Sequence, residues 1–132
     1  MREFSVMTER RTQVVDVTAE VRDALGEPDG AAAALVYVPH TTAGIVINEG
    51  ADPAVARDLE MALERIVDDG WPWEHIEDGD VNPWSHARTA LTASSVVIPL
   101  RDASLALGTY QAVYFCEFDG PRTRKVYVSP LT

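Results

Sequence analysis

A chain of 132 residues, 46% hydrophobic and 24% charged, can bury one real core and is too short for two ordinary domains, so a single domain over residues 1–132 is expected. Eleven Lys and Arg against twenty-one Asp and Glu leave a net charge of -10, which repels nucleic acid and anionic membrane surfaces. A lone cysteine, Cys116, excludes an intrachain disulfide. With no signal-like leader and no bilayer-length apolar run, a soluble cytoplasmic protein is expected, without nucleic-acid or membrane partners.

Phe4 and Val6, then Val15 and Val17, lie in segments of period two around the polar tip Glu9-Arg10-Arg11, which predicts an opening hairpin. Val17, Val21, Ala24 and Leu25 follow at helical spacing, with Thr18 as the expected N-cap and Gly26 where a helix ends. Ala33 to Val38 and Gly44 to Asn48 read as strands, because Gly30 and the β-branched residues outweigh the helix propensity of the alanine run. Between them Pro39-His40-Thr41-Thr42 interrupts the apolar pattern.

Asp52-Pro53 is a strong helix start, and Val55, Leu59, Ala62, Leu63 and Ile66 form the apolar stripe of the main helix. Asn82-Pro83 repeats that signal, so Trp84 to Leu91 is expected to be helical with Asn82 capping it. Ser95 to Leu100, Gly108 to Phe118 and Thr123 to Ser129 then read as strands separated by turns. The order ββαββααβββ, with strands arriving in hairpins or meanders, predicts an α+β fold with antiparallel or mixed sheets. A doubly wound nucleotide-binding sheet is excluded, since neither strict βα alternation nor a Gly-rich first turn is present.

The only histidines, His40, His75 and His86, fall in loops or at a helix start rather than inside apolar stripes. Three imidazoles with an open fourth position suit catalytic zinc. Their spacing matches no local ligand motif, so surface or acid–base histidines remain as alternatives. Glu74, Glu77, Asp78 and Asp80 around His75 read as a solvated acidic turn, one or two of which could hold Mg²⁺ beside a phosphorylated substrate. The Asp-Gly-Asp triplet lacks the other positions of a calcium loop.

Arg122 and Arg124 alternate by two, so on a strand both guanidinium groups would share one face and could grip phosphate. A charged edge strand explains them equally well. Cys116, in an apolar stretch without a nearby base, reads as a buried hydrophobe. Trp71, Trp73 and Trp84 read as packing or interface residues.

The segments HTTAGIVINE (His40 to Glu49), DGDVNPWSHAR (Asp78 to Arg88), LGTYQ (Leu107 to Gln111) and EFDGPRTRKV (Glu117 to Val126), together with Asp52 and Asp58, resemble in order and spacing the secondary thiamine-phosphate synthase, or YjbQ-like, family. That resemblance covers nearly the whole chain. It implies a β-sandwich-like α+β domain assembled as a homotrimer, with His40, His75 and His86 as metal ligands or site-lining imidazoles for Zn²⁺ or Mg²⁺. It also implies catalytic or polar site positions at Thr41, Asn48, Glu49, Gln111 and Glu117, and substrate contacts at Thr42, Asn82 and Arg122, with Arg124 beside it.

The implied reaction joins an aminopyrimidine pyrophosphate to a thiazole phosphate, with Glu49 or Glu117 handling protons and Arg122 holding phosphate. A metal-dependent hydrolase of a small phosphorylated or acyl metabolite, and a non-enzymatic trimeric metal-binding module, are the competing expectations. Tyr110 stands where the family pattern has Trp, and Trp71-Pro72-Trp73 stands where a Tyr is commoner. Both departures keep an aromatic residue and bear on substrate shape more than on chemistry.

Overall fold

The computed structural model describes residues 1–77 and 79–132, so Asp78 lies outside the described residues. Its elements are β1 (Arg2–Met7), β2 (Gln13–Asp16), α1 (Thr18–Leu25), β3 (Ala33–Tyr37), β4 (Ala43–Glu49), α2 (Pro53–Ile66), α3 (Pro83–Ala90), β5 (Ser95–Arg101), β6 (Ser104–Leu105), β7 (Gln111–Glu117) and β8 (Thr123–Leu131). The expected α+β order therefore holds, with β6 added as a short return strand. Its turn places Asp102 and Ala103 in the left-handed region.

All the pairings between strands are antiparallel, in a five-stranded sheet ordered β1-β8-β3-β5-β6 and a three-stranded sheet ordered β2-β7-β4. The expected opening hairpin does not form. β1 pairs with β8 in one sheet and β2 with β7 in the other, so the tip at Glu9 to Arg11 is a crossover between sheets. β3 and β4 are likewise split, and the Pro39–Thr42 segment carries the chain from one sheet to the other. Among the described residues, only β5 and β6 are consecutive strands that pair.

The two sheets bury a shared core that includes Val36, Ile45, Ile98, Val113, Phe115 and Val126. On its other side the three-stranded sheet carries Val14, Ala112, Tyr114, Cys116 and Phe118 beneath Ala56, Leu59 and Leu63 of α2. With both faces covered, β7 reads as a near-continuous apolar run rather than an alternating one. Cys116 belongs to the α2 side, and burial pushes its thiol up to about 12, which leaves it unreactive.

The helix starts show which local signals survive in the fold. α2 begins as expected, Asp52 accepting the Ala54 amide at 2.9 Å ahead of Pro53. At α1 the capping oxygen comes from Asp16, which accepts both the amide and the hydroxyl of Thr18. Thr18 in turn accepts the Val113 amide of β7 at 2.8 Å, tying the helix to the sheet. Asn82 starts α3 without a side-chain cap, because its amide group donates to Asp119 instead. Where α3 runs out, Ala93 bridges Ile45 of β4, and the contact is close enough that only glycine fits at position 44: a Cβ there would lie 1.9 Å from the Thr92 hydroxyl oxygen.

Candidate functional site

Each residue of the crossover from His40 to Thr42 is tied to a distant element by a hydrogen bond. The Lys125 amide of β8 donates to His40 Nε2 at 3.0 Å. His86 Nδ1 lies 3.1 Å from the Thr41 carbonyl. The Thr42 hydroxyl accepts from Arg124 Nη2 at 2.8 Å, and the Thr42 carbonyl accepts the Phe118 amide at 3.1 Å. A carbonyl only accepts, so His86 must carry its proton on Nδ1, which leaves the Nε2 lone pair open when the ring is neutral.

Behind this segment lies a buried ion pair. Glu117 is 0% exposed and Arg124 5%. Arg124 grips both carboxylate oxygens, Nε on Oε1 and Nη2 on Oε2. The Thr8 hydroxyl donates to Oε1 at 2.8 Å, while the Phe118 and Asp119 amides donate to Oε2. Five donors saturate the carboxylate, so Glu117 is a fixed structural anion rather than the proton carrier the sequence reading expected.

The same geometry corrects the arginine pair. Arg124 is inside and committed to Glu117, so it has no freedom to hold phosphate. Arg122 sits in the turn before β8, exposed, with its guanidinium folded back on the Asp119 carbonyl and carboxylate. The two do not share a face, because only one of them belongs to the strand. Asp119 also accepts from Asn82, joining Arg122 to the start of α3.

His75 and His86 meet edge to face with ring centroids 5.2 Å apart. They line an open groove of about 620 Å³ with Pro72, Trp73, Glu74, Pro83 and Ala87. The indole Nε1 of Trp73 and Oδ1 of Asn82 are buried without a hydrogen-bond partner. Trp84 is occupied elsewhere, beneath the Arg11 guanidinium at 4.5 Å.

Three expected catalytic residues lie at the other end of the three-stranded sheet. β4 and β7 pair Ala43 with Glu117 at one end and Glu49 with Gln111 at the other. Six residues of strand separate those ends by roughly 20 Å. Asn48 bonds the Glu49 amide, and Gln111 bonds the Gly108 amide beside Asp16, Thr18 and Tyr110. Within one chain the expected site therefore divides: Thr41, Thr42, Asn82, Glu117, Arg122, Arg124 and the histidine segments gather at one end, while Asn48, Glu49 and Gln111 do not reach them.

A three-histidine metal centre does not fit what remains. His40 Nε2 is occupied by an amide. Among the described residues, no three His, Cys, Asp or Glu side chains converge as a ligand set. Sequence reading missed Thr8, which closes the Glu117 network from β1, and the Lys125 amide. Neither leaves a local signal, since both act through contacts between residues more than eighty positions apart.

A model of the family described as "UPF0047 protein YjbQ-like" matches residues 2–132. The chain belongs to this family. The UPF0047 protein YugU of Bacillus subtilis is 42% identical over 131 residues, 97% of this chain and 96% of the relative. A UPF0047 protein of Methanocaldococcus jannaschii is 40% identical over 128 residues, 95% of this chain and 89% of its own length.

Among solved structures, a YjbQ/UPF0047 family protein of Clostridium acetobutylicum superposes with a TM-score of 0.91 at 40% identity, covering 99% of this chain and 100% of that one. A protein of Sulfolobus solfataricus described as YbjQ-like and of unknown function gives a TM-score of 0.86 at 29% identity, covering 96% and 91%. The YjbQ-like resemblance is thereby borne out. The thiamine-phosphate synthase expectation is not: the family and these relatives are described only as UPF0047 or of unknown function, and membership confers no such activity on the chain. No helix among the described residues is long and apolar enough to cross a membrane.

Two outcomes follow from the site's electrostatics. Glu117→Gln strands the Arg124 charge in the interior and is expected to cost about 3–5 kcal/mol in urea unfolding. A double variant that also carries Arg124→Met should recover part of that loss. Burial, then the Arg124 charge, push the His40 pKa below its ordinary 6.5, with Glu117 opposing. As the pH falls through 6.5 the unfolded chain takes up a proton that the folded ring refuses, so native stability drops in acid until the folded ring itself titrates. His40→Gln keeps an acceptor for the Lys125 amide, and its unfolding free energy should vary less between about pH 7 and pH 5 than that of the native protein.

Proposed function

We propose that the chain is an enzyme whose general base is His86, acting on a small metabolite seated in the groove of Pro72, Trp73, His75 and Pro83. The observation that carries this reading is the His86 hydrogen bond to the Thr41 carbonyl, which fixes the tautomer and leaves Nε2 as the acceptor on a ring lining the groove. The His75 ring restricts His86 from the side. Pro72, Pro83 and the Trp73 ring supply apolar surface for an organic substrate.

A phosphate on that metabolite would meet Arg122, the guanidinium of the pair that solvent reaches, aided by Asn82 across Asp119. A homotrimer is the assembly this reading takes. It draws support from the outer face of the five-stranded sheet, where Leu35, Tyr37, Val97 and Tyr127 leave apolar surface uncovered and the two tyrosine rings stack at 6.3 Å.

The test begins with a panel of small phosphorylated and unphosphorylated metabolites scored by thermal shift, followed by turnover assays on those that bind. His86→Asn keeps a donor for the Thr41 carbonyl and removes the base, so kcat should fall roughly 10²–10⁴-fold with KM little changed. Equal turnover by the variant, or binding without turnover across the panel, would sink the proposal. Light scattering on the same samples should read three times the chain mass.

A further inference from the structure

His40 and His86 are set by one loop yet expose opposite chemistry. His86 gives its Nδ1 proton to a carbonyl and keeps an open lone pair at Nε2. His40 is held by the reverse polarity. A backbone amide only donates, so the Lys125 N–H at 3.0 Å requires Nε2 to be unprotonated, and the single proton of the neutral ring then sits on Nδ1.

The strand register explains why that amide is available. β3 pairs with β8 as far as Tyr37 opposite Tyr127. Continued by two residues, the ladder would set Pro39 against Lys125, but there the chain turns away toward β4. β1 still covers the other edge of β8, with Ser5 opposite Lys125. On the vacated edge the half-buried imidazole of His40 takes the place of the missing strand and satisfies the amide.

We infer that His40 is a fixed neutral hydrogen-bond donor, locked as the Nδ1–H tautomer by the Lys125 amide and closed to metal and proton at Nε2 while that bond stands. Its Nδ1–H makes no hydrogen bond to the described residues, which leaves it to hold an acceptor oxygen of a ligand, whether carbonyl, carboxylate or phosphate. The inference rests on the reading of the His75–His86 groove as a ligand site and extends it to His40, which does not itself line that groove but is joined to His86 through Thr41. Protonating or metallating Nε2 would forfeit the amide contact and add positive charge in front of the buried Arg124, whose partner Glu117 is already saturated.

Long-range ¹H–¹⁵N spectra of the imidazoles test it directly in the ligand-free protein. With only three histidines, the signals are assigned by their loss in His40→Gln and in His75→Gln. The expected result is a pyridine-like Nε2 and a pyrrole-like Nδ1 for His40, both unmoved by stoichiometric Zn²⁺. A Zn²⁺ response confined to His75 and His86 also supports the lock. A protonated Nε2, signals averaged between tautomers, or a His40 Nε2 that shifts or broadens with Zn²⁺ overturns it. Failure of the general-base reading would show separately, in the turnover of His86→Asn, without altering the His40 tautomer.

Discussion

The buried pairing of Glu117 with Arg124 is the constraint on which the rest of this end of the molecule depends. Two charges withdrawn from water are tolerated only when each has its hydrogen-bonding capacity filled, and here that demand recruits five separate segments. Thr8 comes from the end of β1, Glu117 from β7, Arg124 from β8, Thr42 from the start of β4, and the amides of Phe118 and Asp119 from the turn. Removing any one leaves a buried polar atom without a partner, so the five hold a single relative placement. The two sheets meet at this cluster, since β1 and β8 belong to one and β4 and β7 to the other.

That rigidity reaches the histidines through the backbone. Thr42 is gripped by Arg124 and Phe118, the preceding Thr41 carbonyl is presented to α3, and His40 is caught on the edge of β8. α3 is fixed from its other side: Ser85 donates to the Phe118 carbonyl at 2.7 Å, and Arg88 donates to the final carbonyls of α2. His86 therefore rides on a helix anchored at both flanks. A ring supported this way loses little entropy on meeting a ligand, which is how positioned acids and bases gain efficiency.

Much of this was legible in the sequence wherever the cause is local. Asp52-Pro53 starts α2 because an aspartate cap and a proline at N1 act within one turn. The strands near Phe4, Val15, Leu35 and Val113 follow from side-chain pattern, and most of the site's polar residues follow from the family motifs. Strand partners were not legible. Glu9-Arg10-Arg11 has the composition of a hairpin tip, but pairing is settled by contacts with β7 and β8, far along the chain. Arg10 shows the same point. Its guanidinium forks onto Glu60 of α2, whose carboxylate also takes the Val14 amide, so this polar tip is a docking surface for a helix.

The candidate site divides along the same line. Residue type could nominate Glu117 and Arg124 but could not distinguish a working pair from a saturated structural one, because saturation depends on Thr8 and Thr42. Nor could residue type give the two imidazoles their different roles. His40 and His86 are chemically identical side chains whose available atoms are decided by what the backbone offers: the Lys125 amide of β8 where the β3 ladder runs out, and the Thr41 carbonyl of the crossover. Since both partners are main-chain groups, one in β8 and one in the crossover, substitutions among exposed neighbours should leave the polarities intact. A change in the length of the Pro39–Thr42 segment would exchange or abolish them. A donor on the crossover and an acceptor on the helix that the crossover's carbonyl holds, both fixed beside a buried ion pair, form a matched pair for a ligand that itself presents an acceptor beside a transferable proton.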